Sequence, residues 1–462
     1  MSRAHPQDGD APRSLQRCLQ ACPAPQTVLI PMRVLIISFG STGDIYPLVR
    51  FGNALVEAGH DVRFATSPLF REPIESAGVP YVHLPPDWDR SIYVEFMREL
   101  NRAPVPILQL RHIYEGALPF MSELLDKAEA EIQRGTDVVV SSYFFPHFRF
   151  LAERNGAAFA TFAFCHNVVP NDEWPPEMFP RLRGWPPPLK RRWNRIAWRI
   201  GDWLVSWTLR SVMADIFRRH NLTGPLSFLA APADLAMVGV SPRLTRWSEV
   251  HPRFRMVGFL RWQSARNADI DAVLNTFCDG QSVPVITFGS VAFDNVHRIM
   301  SRFLKHWPQG KKVIIQTGWA GLSVEVERPE ICVVGEVSHD QLFRFASMVI
   351  HHGGAGTTAS VIQAGKPHIV IPHIADQNWW AAEVCRQRVG RRLHKLRWPE
   401  RLPRAVRRIE RNPLYRLNAE RLAEAMRAED GPRTAVTELE RFVAERKPCT
   451  TGEEGFSVVE TA

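Results

Sequence analysis

The run His351-His352-Gly353-Gly354-Ala355-Gly356-Thr357-Thr358 constrains this chain more than any other. It follows the apolar stretch Ser347-Met348-Val349-Ile350 and precedes Ala359 to Gly365, which reads as a helix closed by a glycine. Strand, glycine turn and helix in that order aim unbonded backbone N–H groups and the positive end of a helix dipole at an anion. The glycines admit a diphosphate close to the backbone, Thr357 and Thr358 add hydroxyls, and His352 adds a ring donor that can carry charge. The plain alternative is a βα turn whose glycines serve only its geometry.

Further along comes Pro372-His373-Ile374-Ala375-Asp376-Gln377-Asn378, directly after the strand-like His368-Ile369-Val370-Ile371. A carboxylate and an amide side by side can each bind two neighbouring hydroxyls. One βα turn thus offers a diphosphate site and the next offers polyol ligands, at the edge where open α/β sheets hold their ligands. Together they point to a nucleotide sugar. A dinucleotide-binding reading competes, because Gly354 to Ala359 fits G-x-G-x-x-A and Asp376 follows at a suitable distance. That fingerprint normally opens a domain, however, and its acid ends the second strand, whereas Asp376 lies beyond Pro372 in a loop.

These residues resemble the signature of glycosyltransferase family 1, the inverting enzymes that use nucleotide-diphosphate sugars. The stretch from Gly335 to Gly390 is most similar to the sterol and antibiotic-aglycone branch, with the bacterial glycolipid rhamnosyltransferases close by. A second match, Phe39-Gly40-Ser41-Thr42-Gly43-Asp44-Ile45-Tyr46-Pro47, follows the strand Val34 to Ile37. The resemblance implies an α/β protein of GT-B fold, two Rossmann-like domains with a cleft between them. The divisions expected are a leader over 1–31, an acceptor-binding domain over 32–255, a donor-binding domain over 256–430, and a returning helix with a disordered tail over 431–462.

The pattern along the chain fits that architecture. Short apolar strands alternate with amphipathic helices from Met32 to about Ala163, and again from Val283 to Ile371, as in parallel sheets covered on both faces. A strand is expected over Met256 to Phe259, and Thr434 to Arg446 is the candidate returning helix. At 462 residues the chain can bury two ordinary cores, and no apolar run approaches the length that spans a bilayer. Seven cysteines are scattered without a CxxC pair, which points to free thiols and a cytoplasmic location. The leader has no apolar signal core, so it is either a disordered extension or untranslated, with Met32 as the start. The net charge of +9 would suit a nucleic-acid partner, but no such module appears and much of the excess sits in one segment.

Asp44 is the candidate base, since inversion needs an acceptor hydroxyl stripped of its proton as it attacks the anomeric carbon. Its position after the first strand, on the turn of Gly40 and Gly43, faces the cleft; the alternative is a cap for a helix starting near Tyr46. The resemblance gives the diphosphate to His352 and to the backbone of Gly354, Ala355, Gly356 and Thr357. It gives the phosphates or sugar to Ser290 in a second glycine turn, the base to the backbone of Val337, and the sugar hydroxyls to Asp376 and Gln377. Trp319 either stacks on the base or packs internally. Fixed donors at the leaving group replace a metal ion, and Asp269-Ile270-Asp271 falls in a linker rather than at a strand end, so neither a metal nor another cofactor is expected.

The expected partners are therefore a UDP- or dTDP-linked sugar and a lipophilic acceptor such as a sterol, carotenoid, polyketide or lipid, with no nucleic acid. A dTDP-rhamnose-dependent glycolipid enzyme and a non-catalytic transferase-like activator are the alternatives. One segment stays open. From Lys190 to Trp207, Trp193, Ile196, Ile200, Trp203, Leu204 and Trp207 form one helical stripe, with Arg192, Arg195 and Arg199 off it. Either the stripe packs into the first domain, or the helix lies on an anionic membrane and makes the protein peripheral at its cytoplasmic face.

Overall fold

The computed structural model describes residues 31–446, except 104, 245–251, 263–265, 292, 320, 323–327 and 375. The expectations for the leader and for the tail from Lys447 fall outside these residues. The first lobe contains β1 (Arg33–Ile37), α1 (Thr42–Glu57), β2 (Asp61–Thr66), α2 (Arg71–Ser76), β3 (Tyr81–His83), α3 (Arg90–Arg102) and α4 (Pro106–Gln133). It continues through β4 (Val138–Ser142), α5 (Phe148–Arg154), β5 (Ala158–Ala163), α6 (Pro187–Val212), α7 (Ala214–Arg219), β6 (Leu235–Val238) and β7 (Phe254–Met256). The second lobe runs α8 (Ala268–Cys278), β8 (Val283–Thr287), α9 (Val296–His306), β9 (Val313–Gln316), β10 (Ile331–Val334), α10 (His339–Leu342) and β11 (Ala346–His351). It is completed by α11 (Ala355–Gln363), β12 (His368–Val370), α12 (Gln377–Arg386), β13 (Gly390–Arg392), α13 (Trp398–Glu410) and α14 (Leu414–Met426), and the last helix is α15 (Gly431–Arg446).

Each lobe holds one parallel sheet. Their orders are β3-β2-β1-β4-β5-β6-β7 and β10-β9-β8-β11-β12-β13. Both reverse direction beside their first strand, between β1 and β4 and between β8 and β11, which is where doubly wound sheets open a crevice. Strand residues alternate between two packed faces. Leu35 and Ile37 join α4, α5 and α6 in one core, while Val34 and Ile36 join α1 and α15 in the other. Ile286, Ile350 and Ile369 face α9 and α13, whereas Val285 and Val349 face α8. In the second sheet His351 is in register with both Thr287 and Val370, so the turns that follow β8, β11 and β12 stand side by side.

The chain crosses between lobes twice, after β7 and before α15. The crossings touch: a Cβ on Gly258 would lie 3.2 Å from the Cα of Gly431, and one on Gly431 would overlap the carbonyl of Phe259. Beyond the second crossing α15 packs on the first lobe through Ala435, Val436, Leu439 and Val443. The expected strand from Met256 to Phe259 lies earlier, because Phe254–Met256 pairs with Ala236–Val238 on β6. The four described cysteines, Cys165, Cys278, Cys332 and Cys385, are free thiols.

The packing of α6 divides its stripe, with Trp193 and Leu204 half-buried and the other four residues exposed. Ile196, Ile200, Trp203 and Trp207 are exposed, and the buried residues are Asn194, Ala197, Trp198, Gly201, Val205, Ser206 and Leu209. Polar bonds select that inner face. Asn194 donates to the carbonyl of Asp172 at 2.8 Å, Trp198 Nε1 to that of Trp174 at 2.9 Å, and Asp202 accepts the backbone N–H of Phe228 and Leu229. Ala197 and Gly201 let the helix sit close beside the buried Trp198, Val205 and Leu209. Among the described residues no helix is long and apolar enough to cross a membrane.

Candidate active site

All eleven candidate residues line one cavity of about 1210 Å³ between the lobes. Asp44 enters from the first lobe. The helix α1 begins at Thr42, earlier than Tyr46, because Ser41 and Asp44 form a capping box. Asp44 Oδ2 accepts the Ser41 N–H at 2.8 Å and the Ser41 hydroxyl at 3.1 Å. The capping role read from the sequence thus exists, but Ser41 is the cap and Asp44 closes the box from the third helical position. Gly40, at φ +135°, passes so near that any Cβ would overlap the Asp44 carboxylate. Burial pushes Asp44 up to about 6, against the two Ser41 bonds that pull it down.

The facing wall comes from the second lobe. His352 lies between two glycine turns: a Cβ on Gly354 would overlap its Nε2, and one on Gly289 would stand 3.1 Å from its Cε1. Gly354 caps α11 without a side-chain bond, so the first-turn amides of Ala355, Gly356 and Thr357 carry the unbonded donors of that helix end. Burial holds His352 down at about 3, so it is neutral at pH 7 rather than the charged donor the sequence allowed. His351 is not at the cavity wall. Its Nδ1 accepts the Gly353 N–H at 3.1 Å and its Nε2 meets His368 Nδ1 at 3.0 Å, which fixes the turn from behind.

Asp376 accepts from Trp380 Nε1 at 3.1 Å and is pushed up to about 7, first by burial, then by Asp44 and Glu177. Asp44, Glu177 and Asp376 therefore share the cleft, and burial raises all three. Gln377 is differently placed from what its neighbour suggests. Its Oε1 accepts the N–H groups of His373 and Ile374, which leaves only its amide NH₂ for a ligand.

Ser290 sits in the β8 turn, whose Gly289 carbonyl accepts the Trp319 N–H at 2.9 Å. The Trp319 ring meets Tyr93 edge-on at 5.9 Å, and Arg90 lies over it at 5.5 Å. Arg90 also pairs with Glu336, and Arg102 with Asp294 at 2.8 Å, so both ends of α3 hold the second lobe. The Val337 carbonyl accepts from Gln316 Nε2 at 2.7 Å, and Gln316 Oε1 accepts from Thr287 at the same distance. Sequence reasoning missed this relay and the Arg90–Tyr93 contacts, which join residues far apart in the chain. It also passed over Asp87-Trp88-Asp89, a second spaced acid pair. Asp89 caps α3 and Asp87 bonds His83, and among the described residues no group of three His, Cys, Asp or Glu is placed to hold a metal ion.

The other half of the cavity is apolar. Phe96, Met97, Leu100, Ile107, Leu110, Ile113, Met121 and Leu124 from α3 and α4 line it, with Phe145, Phe148, Trp198 and Val205 opposite.

Comparison with known proteins agrees with both halves. Residues 34–167 match the glycosyltransferase family 28 N-terminal domain, and residues 315–442 the erythromycin biosynthesis protein CIII-like C-terminal domain. The chain is a glycosyltransferase of GT-B fold, related to the family 1 enzymes. It is 26% identical to a sterol 3-beta-glucosyltransferase of Arabidopsis thaliana over 90% of this chain and 69% of that protein. It is 28% identical to the vancomycin aglycone glucosyltransferase of Amycolatopsis orientalis, over 78% of this chain and 85% of that one. Among solved structures, the glycosyltransferase of kitacinnamycin superposes with a TM-score of 0.65 at 19% identity, covering 89% of this chain and 98% of that one. The calicheamicin glycosyltransferase gives 0.62 at 19%, covering 90% and 100%. That fold accounts for two sheets with one cavity between their switch points.

Proposed function

We propose that this transferase moves a hexose, with inversion and without a metal, from a nucleotide-diphosphate sugar to a hydroxyl of a lipophilic small molecule. One observation carries the reading: a single cavity joins an apolar half, ending at Asp44, to the amino end of α11 and Asp376. Residues 32–255 form the acceptor side and 256–430 the donor side. The acceptor hydroxyl gives its proton to Asp44 as its oxygen attacks the anomeric carbon, and the bond from that carbon to the diphosphate breaks with its electrons on the leaving oxygen. An aspartate that ionises near 6 is a better base than one at its ordinary value, and it is still charged at neutral pH.

The leaving charge develops opposite the amides of Gly354, Ala355, Gly356 and Thr357, with His352 and Ser290 beside them. Preorganised donors of this kind stabilise the transition state without reorganising. Asp376 and the Gln377 amide hold the sugar hydroxyls, Val337 offers its backbone to the base, and Trp319 offers a ring face. Both sources of the nucleotide have support: one relative is a UDP-sugar-dependent glycosyltransferase of Dictyostelium discoideum, and several similar solved structures hold thymidine diphosphate. Thermal shift with UDP-glucose and dTDP-rhamnose separates them, since a ligand at about 100 times its Kd stabilises by roughly 2.7 kcal/mol. Slow donor hydrolysis by the purified protein supports an enzyme. Binding of either donor with no hydrolysis, and no transfer to any acceptor, would leave the non-catalytic reading.

A further inference from the structure

The helix α6 turns a ridge of large apolar side chains to solvent, opposite the face it buries. Ile196 and Ile200 are 40% and 41% exposed, Trp203 63% and Trp207 58%. The two indoles stack with centroids 6.5 Å apart. At 3.6 residues per turn these four side chains lie within about 60° of one another around the helix. Trp185 and Leu189 extend the exposed apolar surface at its amino end. Single exposed apolar residues need no explanation, but a contiguous ridge of them marks an interaction surface.

Its electrostatics indicate the partner. From Met178 to Trp207 the sequence has seven arginines and lysines and one acid, Asp202. Asp202 is turned inward to the Ser227 hydroxyl and the following backbone amides. Arg192, Arg195 and Arg199 are exposed beside the ridge. Arg199 and Arg210 also line a surface groove with Trp203 and Trp207. A second copy docked by the same face across a two-fold axis would set these cations against each other. An anionic bilayer answers both features, with indoles at the headgroup level and guanidinium groups on lipid phosphates.

We propose that the outer face of α6 docks on an anionic lipid bilayer. The inner face of the same helix contributes Trp198 and Val205 to the apolar half of the cavity. One helix therefore stands between the bilayer and the acceptor site, so a lipophilic acceptor reaches that site from the membrane. This last point rests on the transferase reading above; the docking does not.

The test is co-sedimentation of the whole protein with phosphatidylcholine vesicles, with and without phosphatidylserine. Binding is expected to the phosphatidylserine vesicles, and to weaken at high salt as surface attraction is screened. Combined Arg192→Gln, Arg195→Gln and Arg199→Gln should lower the partition coefficient roughly 100-fold, at about fivefold per cation. Trp203→Ser with Trp207→Ser should remove binding, while melting temperature and donor hydrolysis stay at the wild-type values because both rings are exposed and outside the cavity. No sedimentation with phosphatidylserine vesicles at low salt overturns the proposal, as does binding unchanged in the double tryptophan variant. So does a concentration-dependent dimer that the tryptophan variant abolishes. Vesicle binding without donor hydrolysis would instead refute the enzymatic reading and leave the docking surface standing.

Discussion

Replacing Asp44 by asparagine should make the transferase slower and, at neutral pH, more stable. Asparagine keeps an oxygen for the Ser41 N–H and hydroxyl, now at 2.8 and 3.1 Å from Asp44, but it has no charge and cannot take a proton. Loss of a general base lowers turnover by on the order of 10²–10⁴. The stability effect has the opposite sign. Burial raises Asp44 from its ordinary 3.8 to about 6. The unfolded chain therefore ionises this residue first, and the stability it confers is complete below 3.8 and is lost as pH rises through 6. At 1.36 kcal/mol per pH unit the full loss is about 3 kcal/mol, of which about 2 develops between pH 4.5 and pH 8.

Asp44 lies at the wall of an open cavity and is only partly buried, so solvent screening reduces that figure to about 1–2 kcal/mol. Asparagine has no such loss. Melting curves at the two pH values, with nucleotide release measured in parallel, make the test. The advantage of Asp44→Asn over wild type should grow from pH 4.5 to pH 8, and wild-type kcat/KM should rise through about pH 6 and then level. An advantage that is the same at both pH values refutes the raised ionisation, and full turnover refutes the role as base.

His352→Ala should raise the donor KM and lower kcat, with little change in the affinity for acceptor; unchanged donor kinetics would remove His352 from the diphosphate site. EDTA should leave activity intact, and inhibition relieved by magnesium or manganese would refute the metal-free mechanism. Gly40→Ala forces a side chain into a backbone conformation that disfavours it and onto the Asp44 carboxylate. It should cost about 1–3 kcal/mol in denaturant melts, along with turnover, and a neutral result would mean the turn is not as tight as described. Trp319→Ala should weaken donor binding by roughly 5- to 150-fold if the ring stacks on the base, on the scale of about 1–3 kcal/mol per stacked base. An unchanged donor KM with a lower melting temperature would make it a packing residue only.

The parts of the site that were legible in the sequence are those built within one turn. His352 beside Gly354, and Asp44 beside Gly40, each combine a reactive side chain with the glycine that makes room for it a few residues away. The strands β8, β11 and β12 were legible because buried parallel strands are short apolar runs. What stayed hidden depends on distant residues meeting. Nothing local in Gln316 reveals that it links Thr287 to the Val337 carbonyl, nor in Arg90 that it lies over Trp319. Helices α3 and α4, which line much of the acceptor half, were not resolved by the sequence pattern; α3 buries only Tyr93 and Leu100, both at the cavity. The α6 stripe shows the opposite difficulty. Amphipathic spacing identified the helix and its apolar side, but polar bonds from Asn194, Trp198 and Asp202 put the other side inward.

The contact between Gly258 and Gly431 brings both connections between the lobes to one place, from which the rest of their contact surface extends. Both covalent crossings pass each other at this point, where the close backbone contact admits no side chain on either residue. At the rim of the cleft the lobes are held by Arg90–Glu336, Arg102–Asp294 and the ring contact of Tyr93 with Trp319. Ion pairs this exposed are worth at most about 1 kcal/mol each and weaken with salt. A buried apolar seam also joins the lobes, with His166 against Trp379 at 4.1 Å and Val238, Phe254 and Trp380 in one core, so salt loosens only the rim of the cleft.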